Sequence, residues 1–276
     1  MNMRRILAIA AIVCLFPAGL RAQKFTWEAV PMDGSRTGTA MPTASNVPEA
    51  LGRVEGNTYY APDGKIYKGG ATAAAAGLMI AAQDSVAFIK EVIGVCPGGM
   101  RHHRPESELS NMIVDCVKNT TEKVTGRHVD VALINMGGIR EDMPDGEVLL
   151  GDIFAMLPFE NYLCYLELKG ADLRAMLEKI ANHVEALSGV TMEIKGRKAV
   201  KILVGGGPIK DDSVYGFATI DFLLSGGDGI AAAKNARCLI QTDVLMRDAV
   251  LPYLRELTAA GKPISYPADG RVKYVQ

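Results

Sequence analysis

This 276-residue chain has few of the side chains that usually build a metal or nucleophile centre. There are four histidines, and His128 and His183 lie in no metal-like motif. The loop pair His102-His103 lacks further His, Asp or Glu at ligand spacing. Of the five cysteines, Cys96, Cys116, Cys164 and Cys238 share no CxxC-type spacing, which argues against zinc. Cys116 on an apolar helical stripe and Cys164 in a predicted strand are expected to be buried free thiols. No EF-hand spacing surrounds Asp228, and no Ser-His-Asp or Cys-His signature is present. The net charge is -1 and there is no basic run, so nucleic-acid or anionic-membrane binding is excluded as a main role. The apolar stretch Ile6–Phe16 is too short to span a membrane. With Arg4 and Arg5 before it and the small-residue segment 18–22 after it, this stretch reads as a secretory signal peptide cut after Ala22. The mature chain is therefore expected in the periplasm or otherwise exported.

What the chain does have is ordinary globular material. Hydrophobic residues make up 49% and charged residues 22%, enough for a sizeable core. Residues 23–99 are expected to form an extended N-terminal segment and a linker helix. Turn signals stand at Asp33-Gly34, Pro62-Asp63-Gly64 and Gly69-Gly70, with Tyr59, Tyr60, Ile66 and Tyr67 as packing residues. The alanine-rich stretch 71–93 predicts one long helix or two, and 94–104 a loop. From residue 100 onward, helices are predicted over 105–123, 151–156, 171–184 and 242–257. Pro105 falls in the first turn of one, and Pro252 is expected to kink or interrupt another. Strands are predicted over 129–134, 162–168, 190–194, 200–204, 214–220 and 271–275. Without strict alternation of the two element types, the fold class is α+β, a mixed sheet flanked by helices.

Two glycine motifs follow predicted strands: Asn135-Met136-Gly137-Gly138-Ile139-Arg140, and Asp221-Phe222 leading to Gly226-Gly227-Asp228-Gly229. Gly137 and Gly138 are expected to adopt backbone angles that other residues resist, letting a ligand approach the main chain. Asn135 offers both a donor and an acceptor, Arg140 can grip a phosphate or carboxylate, and Asp228 suits a vicinal diol. Between the motifs lies Leu157-Pro158-Phe159. Two exposed aromatics could sandwich a planar base, although each motif taken alone is also an ordinary strand-exit turn or a core aromatic.

Taken in order, these pieces resemble the C-terminal domain of the 5'-nucleotidase family over residues 100–276. The resemblance rests on Glu106, Asn111 and Asp115; the Asn135–Arg140 stretch; Gly151-Asp152 and Leu157-Pro158-Phe159; Leu168-Lys169-Gly170; Asp221-Phe222 with Gly226–Gly229; and Gly270-Arg271-Val272-Lys273. It implies that Phe159 and Phe222 stack on the nucleobase and that Asp228 binds ribose hydroxyls. Asn135 and Arg140, with the glycines Gly137 and Gly138, would hold the base and the phosphate side. A further family arginine falls at His103 here, with Arg104 one step on. Family members usually begin with a metallophosphoesterase domain that binds two metals through Asp-x-His and Gly-Asn-His-Asp/Glu motifs, which do not occur in this sequence. The resemblance therefore implies no cofactor in this chain and no catalysis by it alone. Divalent metals would sit in a separate metallophosphoesterase partner, and the ligand would be a nucleoside monophosphate or nucleoside. An exported nucleoside-binding protein without a catalytic role is the alternative.

Overall fold

The computed structural model describes residues 46–276, so the expected signal peptide and the Asp33-Gly34 turn lie outside the described residues. The chain divides into two compact units, one ending at Ala76 and the other Gly77–Gln276. The first contains α1 (Val47–Leu51), the meander β1 (Arg53–Glu55), β2 (Thr58–Tyr60) and β3 (Ile66–Lys68), and the start of α2 (Gly70–Ala81). Tyr59 stacks on Tyr67 at 5.9 Å, as packing residues should, whereas Ile66 is exposed.

The second unit is built on a five-stranded mixed sheet. Its strands are β5 (Val131–Ile134), β7 (Tyr162–Lys169), β8 (Ala186–Ser188), β12 (Val214–Ile220) and β13 (Cys238–Leu245), in the order β13-β7-β12-β5-β8. Only β12 and β5 are parallel neighbours in it. A second sheet joins β9 (Val190–Lys195), β10 (Lys198–Val204), β11 (Gly207–Pro208) and β14 (Val272–Tyr274). A two-stranded ribbon pairs β4 (Val92–Cys96) with β6 (Gly146–Leu149), just before α4 (Leu150–Met156). Helix α3 (Glu108–Thr125) packs across the large sheet, α5 (Gly170–Ile180) packs on β7, β10 and β12, and α6 (Met246–Ala259) packs on α3, β4 and β13. The α+β expectation holds, with the core centred on β5, every residue of which is buried.

Local chemistry accounts for several departures from the predicted elements. Helix α3 starts at Glu108 because Ser107 caps it, its hydroxyl accepting the Ser110 amide at 3.1 Å; Pro105 therefore lies outside the first turn. Gly126 closes the other end in the left-handed conformation. The stretch 71–93 is not all helical. Helix α2 stops at Ala81, and Val92, Ile93 and Val95 extend into β4 to pair with β6. Gly94 belongs there because a methyl group would lie 2.6 Å from the Ile264 side chain. The residues 242–245 predicted as helix are instead the end of the edge strand β13, and α6 begins at Met246. Pro252 does not interrupt α6. It sits on the exposed side of the helix, as does Asp248 one turn before it, whose carbonyl a proline amide cannot serve. As expected, Cys116 and Cys164 are buried free thiols; Cys96 is a third, and Cys238 is free but only half-buried.

Candidate functional site

Strands β5 and β12 run parallel and side by side, so their carboxyl ends open at one edge of the sheet. Such an edge suits ligands, because the strands end in turns with unpaired amides and accessible side chains. Both glycine motifs begin there. Strand β5 runs into a 3-10 turn, Met136–Gly138, and β12 into another, Asp221–Leu223. Thr219 Oγ1 donates to Leu133 O at 2.8 Å and ties the two strands together just before the turns.

The two motifs meet through side chains. Asn135 Nδ2 donates to Asp228 Oδ2 at 2.7 Å. Asn135 is buried, and its Oδ1 has no hydrogen-bond partner among the described residues. Asp228 holds a left-handed backbone (φ 50°) between Gly226 and Gly229, which also have positive φ. An L-residue there costs about 1–2 kcal/mol, less for Asp than for most, and such costs concentrate at functional sites. The expectation for Gly137 and Gly138 needs correcting, since neither has positive φ. The first turn is an ordinary 3-10 turn, and what glycine supplies there is space. That holds for Gly138, where a methyl would lie 2.9 Å from Asn135 Oδ1; at Gly137 a methyl would meet only ordinary contacts, the nearest at 3.8 Å.

The Arg140 amide donates to Met156 O at 2.8 Å, fastening the first turn to the end of α4, three residues before Phe159. The Arg140 guanidinium is exposed and folds back to donate to Gly137 O at 3.3 Å. Phe159 and Phe222 are 46% and 47% exposed, so each ring leaves about half its surface free to stack. Gly227 lies tight against Phe222: a methyl there would come within 2.7 Å of two ring carbons.

Arg104 reaches the same edge through a residue that the sequence reading missed, Glu185. Ala186 in β8 pairs with Ile134, so Glu185 falls beside the turn that follows β5. It is 2% exposed and accepts the Met136 amide at 2.5 Å. Arg104 Nη2 donates to both Glu185 oxygens at 3.4 Å, and Arg104 Nε donates to Val184 O at 2.6 Å. Burial pushes the Glu185 carboxyl above the usual range, against the opposing pull of the Met136 amide, Arg104 and His183. The available signal was a lone acidic residue in the apolar run 184–187. Lys179 and His183 were missed as well. Lys179 Nζ donates to Gly229 O at 2.5 Å, and both residues line a cavity of about 140 Å³ with Asn182, Glu185, Asp228 and Gly229.

Not every segment behind the family resemblance reaches this edge. Glu106 accepts the Gly270 amide at 2.6 Å and Asn111 Nδ2 at 3.1 Å. Arg271 donates twice to Asp115, at 2.8 and 2.9 Å, and twice to Asp269, while Tyr266 donates to Asp115 at 2.7 Å. These residues staple the C-terminal strand to α3. A polar groove of about 460 Å³ beside them holds a cation that is already paired. His102 pairs with Asp142 at 2.7 Å, and among the described residues no three of His, Cys, Asp and Glu gather as a metal-binding group. No described helix is long and apolar enough to cross a membrane.

Comparisons with known proteins identify the family and the fold. The family described as 5'-nucleotidase, C-terminal domain, matches residues 86–235. A cell wall protein of Listeria monocytogenes is 33% identical over 192 residues, which is 61% of this chain and 24% of that protein. A 5'-nucleotidase of Diplobatis ommata is 26% identical over 223 residues, 68% of this chain and 38% of its own. The chain thus spans well under half the length of these relatives. The crystal structure of a 5'-nucleotidase precursor from Thermus thermophilus superposes with a TM-score of 0.64 at 26% identity, covering 74% of this chain and 43% of that one. A Haemophilus influenzae NAD nucleotidase shares the fold, with a TM-score of 0.55 at 18% identity over 79% of this chain and 47% of the other. With the family match covering more than half of its residues, this chain belongs to the 5'-nucleotidase C-terminal domain family.

Proposed function

We propose that this chain is the nucleotide-recognising subunit of an exported, split 5'-nucleotidase. It binds the base and ribose of a nucleoside monophosphate, while a separate metallophosphoesterase chain supplies the divalent metals and the attacking water. The observation that carries the proposal is the junction of the two glycine motifs. Asn135 and Asp228 meet at the carboxyl ends of parallel strands, with the half-exposed ring of Phe222 on the same turn segment. A diol-binding carboxylate beside a stacking ring is what a nucleoside needs. Arg140 supplies the exposed cation for the phosphate. The described residues offer no donor set for two metals, so no hydrolytic step is assigned to them. The signal-peptide pattern of segment 1–22 supports export.

The test is calorimetry with adenosine and AMP, alongside phosphate release from AMP by this chain alone and with a co-expressed metallophosphoesterase. Binding by the chain alone, with turnover only in the presence of the partner, is the expected result. Metal-dependent turnover by the chain alone refutes the split. A nucleoside-binding protein without a catalytic partner is the second reading. Binding without turnover in any combination selects it.

A further inference from the structure

Glu185 belongs to neither glycine motif, yet its carboxylate accepts a backbone amide of the first. We propose that Glu185 is a positioning residue of the nucleoside site: it fixes the turn after β5, and through that turn the Asn135–Asp228 pair. The inference rests on the nucleotide reading given above.

The geometry is a short relay. Glu185 Oε2 accepts the Met136 amide at 2.5 Å, and Met136 follows Asn135, whose side chain holds Asp228 at 2.7 Å. Because Asn135 itself is buried and its Oδ1 is unpartnered, its orientation is set by the backbone it hangs from and by the contact with Asp228. Without the Glu185 acceptor, the Met136 amide would be a buried donor with no partner, and the turn would open to find one. A buried carboxylate is costly unless a cation accompanies it. Arg104 fills that role. Its Nε and Nη2 are taken by Val184, Glu185 and His183, the last at 3.0 Å. Two roles are therefore separable on one residue, an acceptor at a fixed point and a counter-ion for Arg104.

Three substitutions separate them. Glu185→Gln keeps an oxygen at the same reach but loses the charge. Glu185→Asp keeps the charge but withdraws it by one methylene from the Met136 amide. Glu185→Ala loses both. If positioning is the role, adenosine affinity by calorimetry stays within about threefold of wild type in E185Q and falls about tenfold or more in E185D and E185A. The control is R271A, which is destabilised at the distant staple and keeps wild-type affinity. The opposite order, with E185D intact and E185Q weakened, makes Glu185 a counter-ion only and overturns the proposal, as does wild-type affinity in all three. Absence of any adenosine heat with the wild-type chain overturns the nucleotide reading itself. Amide hydrogen exchange at Met136 then decides the structural half. Exchange should be slow in wild type and E185Q and at least about tenfold faster in E185D and E185A; equal exchange in all four refutes it.

Discussion

A single methyl group at Gly227 should damage binding and stability together, for a reason visible in the backbone. Gly227 has no positive φ, so alanine is conformationally acceptable there and any effect is steric. Its Cβ would lie 2.7 Å from both Cδ1 and Cε1 of Phe222 and would overlap the Phe222 carbonyl oxygen. The half-exposed ring can swing away, but the carbonyl is backbone and cannot, so the turn must shift. Overpacking of this kind costs about 1–3 kcal/mol of stability. If Phe222 stacks on a base, displacing it removes roughly 1–3 kcal/mol of binding. At 1.4 kcal/mol per tenfold, the dissociation constant for adenosine rises about 5- to 150-fold.

Phe222→Ala gives the companion result. Because its ring is 47% exposed, removal should cost only about 1 kcal/mol of stability while costing the same affinity. The double variant G227A/F222A should then lose less affinity than the sum of the two single losses, since both changes act on one ring while the carbonyl clash persists. Gly207→Ala is the control, with its nearest neighbour 3.9 Å away. Calorimetry and urea unfolding of the four variants complete the test. Wild-type adenosine affinity in folded G227A, or strictly additive losses in the double variant, would refute the assignment of Phe222 as a stacking residue.

Other consequences concern the scaffold. Arg271→Ala breaks a largely buried pair with Asp115, so urea unfolding should show a loss of about 3–5 kcal/mol with adenosine affinity unchanged. The hydrogen bond from Arg271 holds the Asp269 carboxyl below its ordinary value of 3.8. A lowered folded-state value means that the stabilisation is complete above the unfolded value and is lost as pH falls below it. The urea midpoint should therefore drop from pH 5 towards pH 2–3, and more shallowly in D269N; equal slopes would count against the pairing. Among the described cysteines, iodoacetamide should label Cys238 first in the native protein, as peptide mass spectrometry can read. Burial pushes the Cys116 and Cys164 thiols up to about 12, and Cys96 is also buried and raised.

Elements with a clean period were legible in the sequence, and those without one were not. Strand β5 is four buried residues in a row, and α3 repeats Leu109, Met112, Ile113, Cys116 and Val117 at helical spacing, so both were visible. Strand β13 was not. Its alternation leaves Leu239 half exposed at the sheet edge, and its last residues, Thr242–Leu245, join smoothly to the apolar pattern of α6. Strand β4 was hidden for a similar reason, because Val92 and Ile93 extend the alanine-rich helical stretch. Only pairing with β6, 50 or so residues later, decides their state.

The site divides along the same line. The turns that carry Asn135 and Phe222 were legible because a strand's end is a local event, and each follows one directly, after β5 and β12. Gly138 was recognised for the wrong cause. Its neighbour is the Asn135 amide group, a contact that spacing alone does not reveal. Glu185 was invisible for a deeper reason. It acquires its partner only because β8 lies antiparallel to β5, which puts the residue before one strand beside the residue after the other. The order β12-β5-β8 thus places three chain segments at one edge: the loop bearing Asp228 after β12, the Met136 turn after β5, and the buried Glu185 carboxylate before β8 that accepts the Met136 amide. A loop can carry a recognition residue, but the pairing of strands decides what keeps that residue in position.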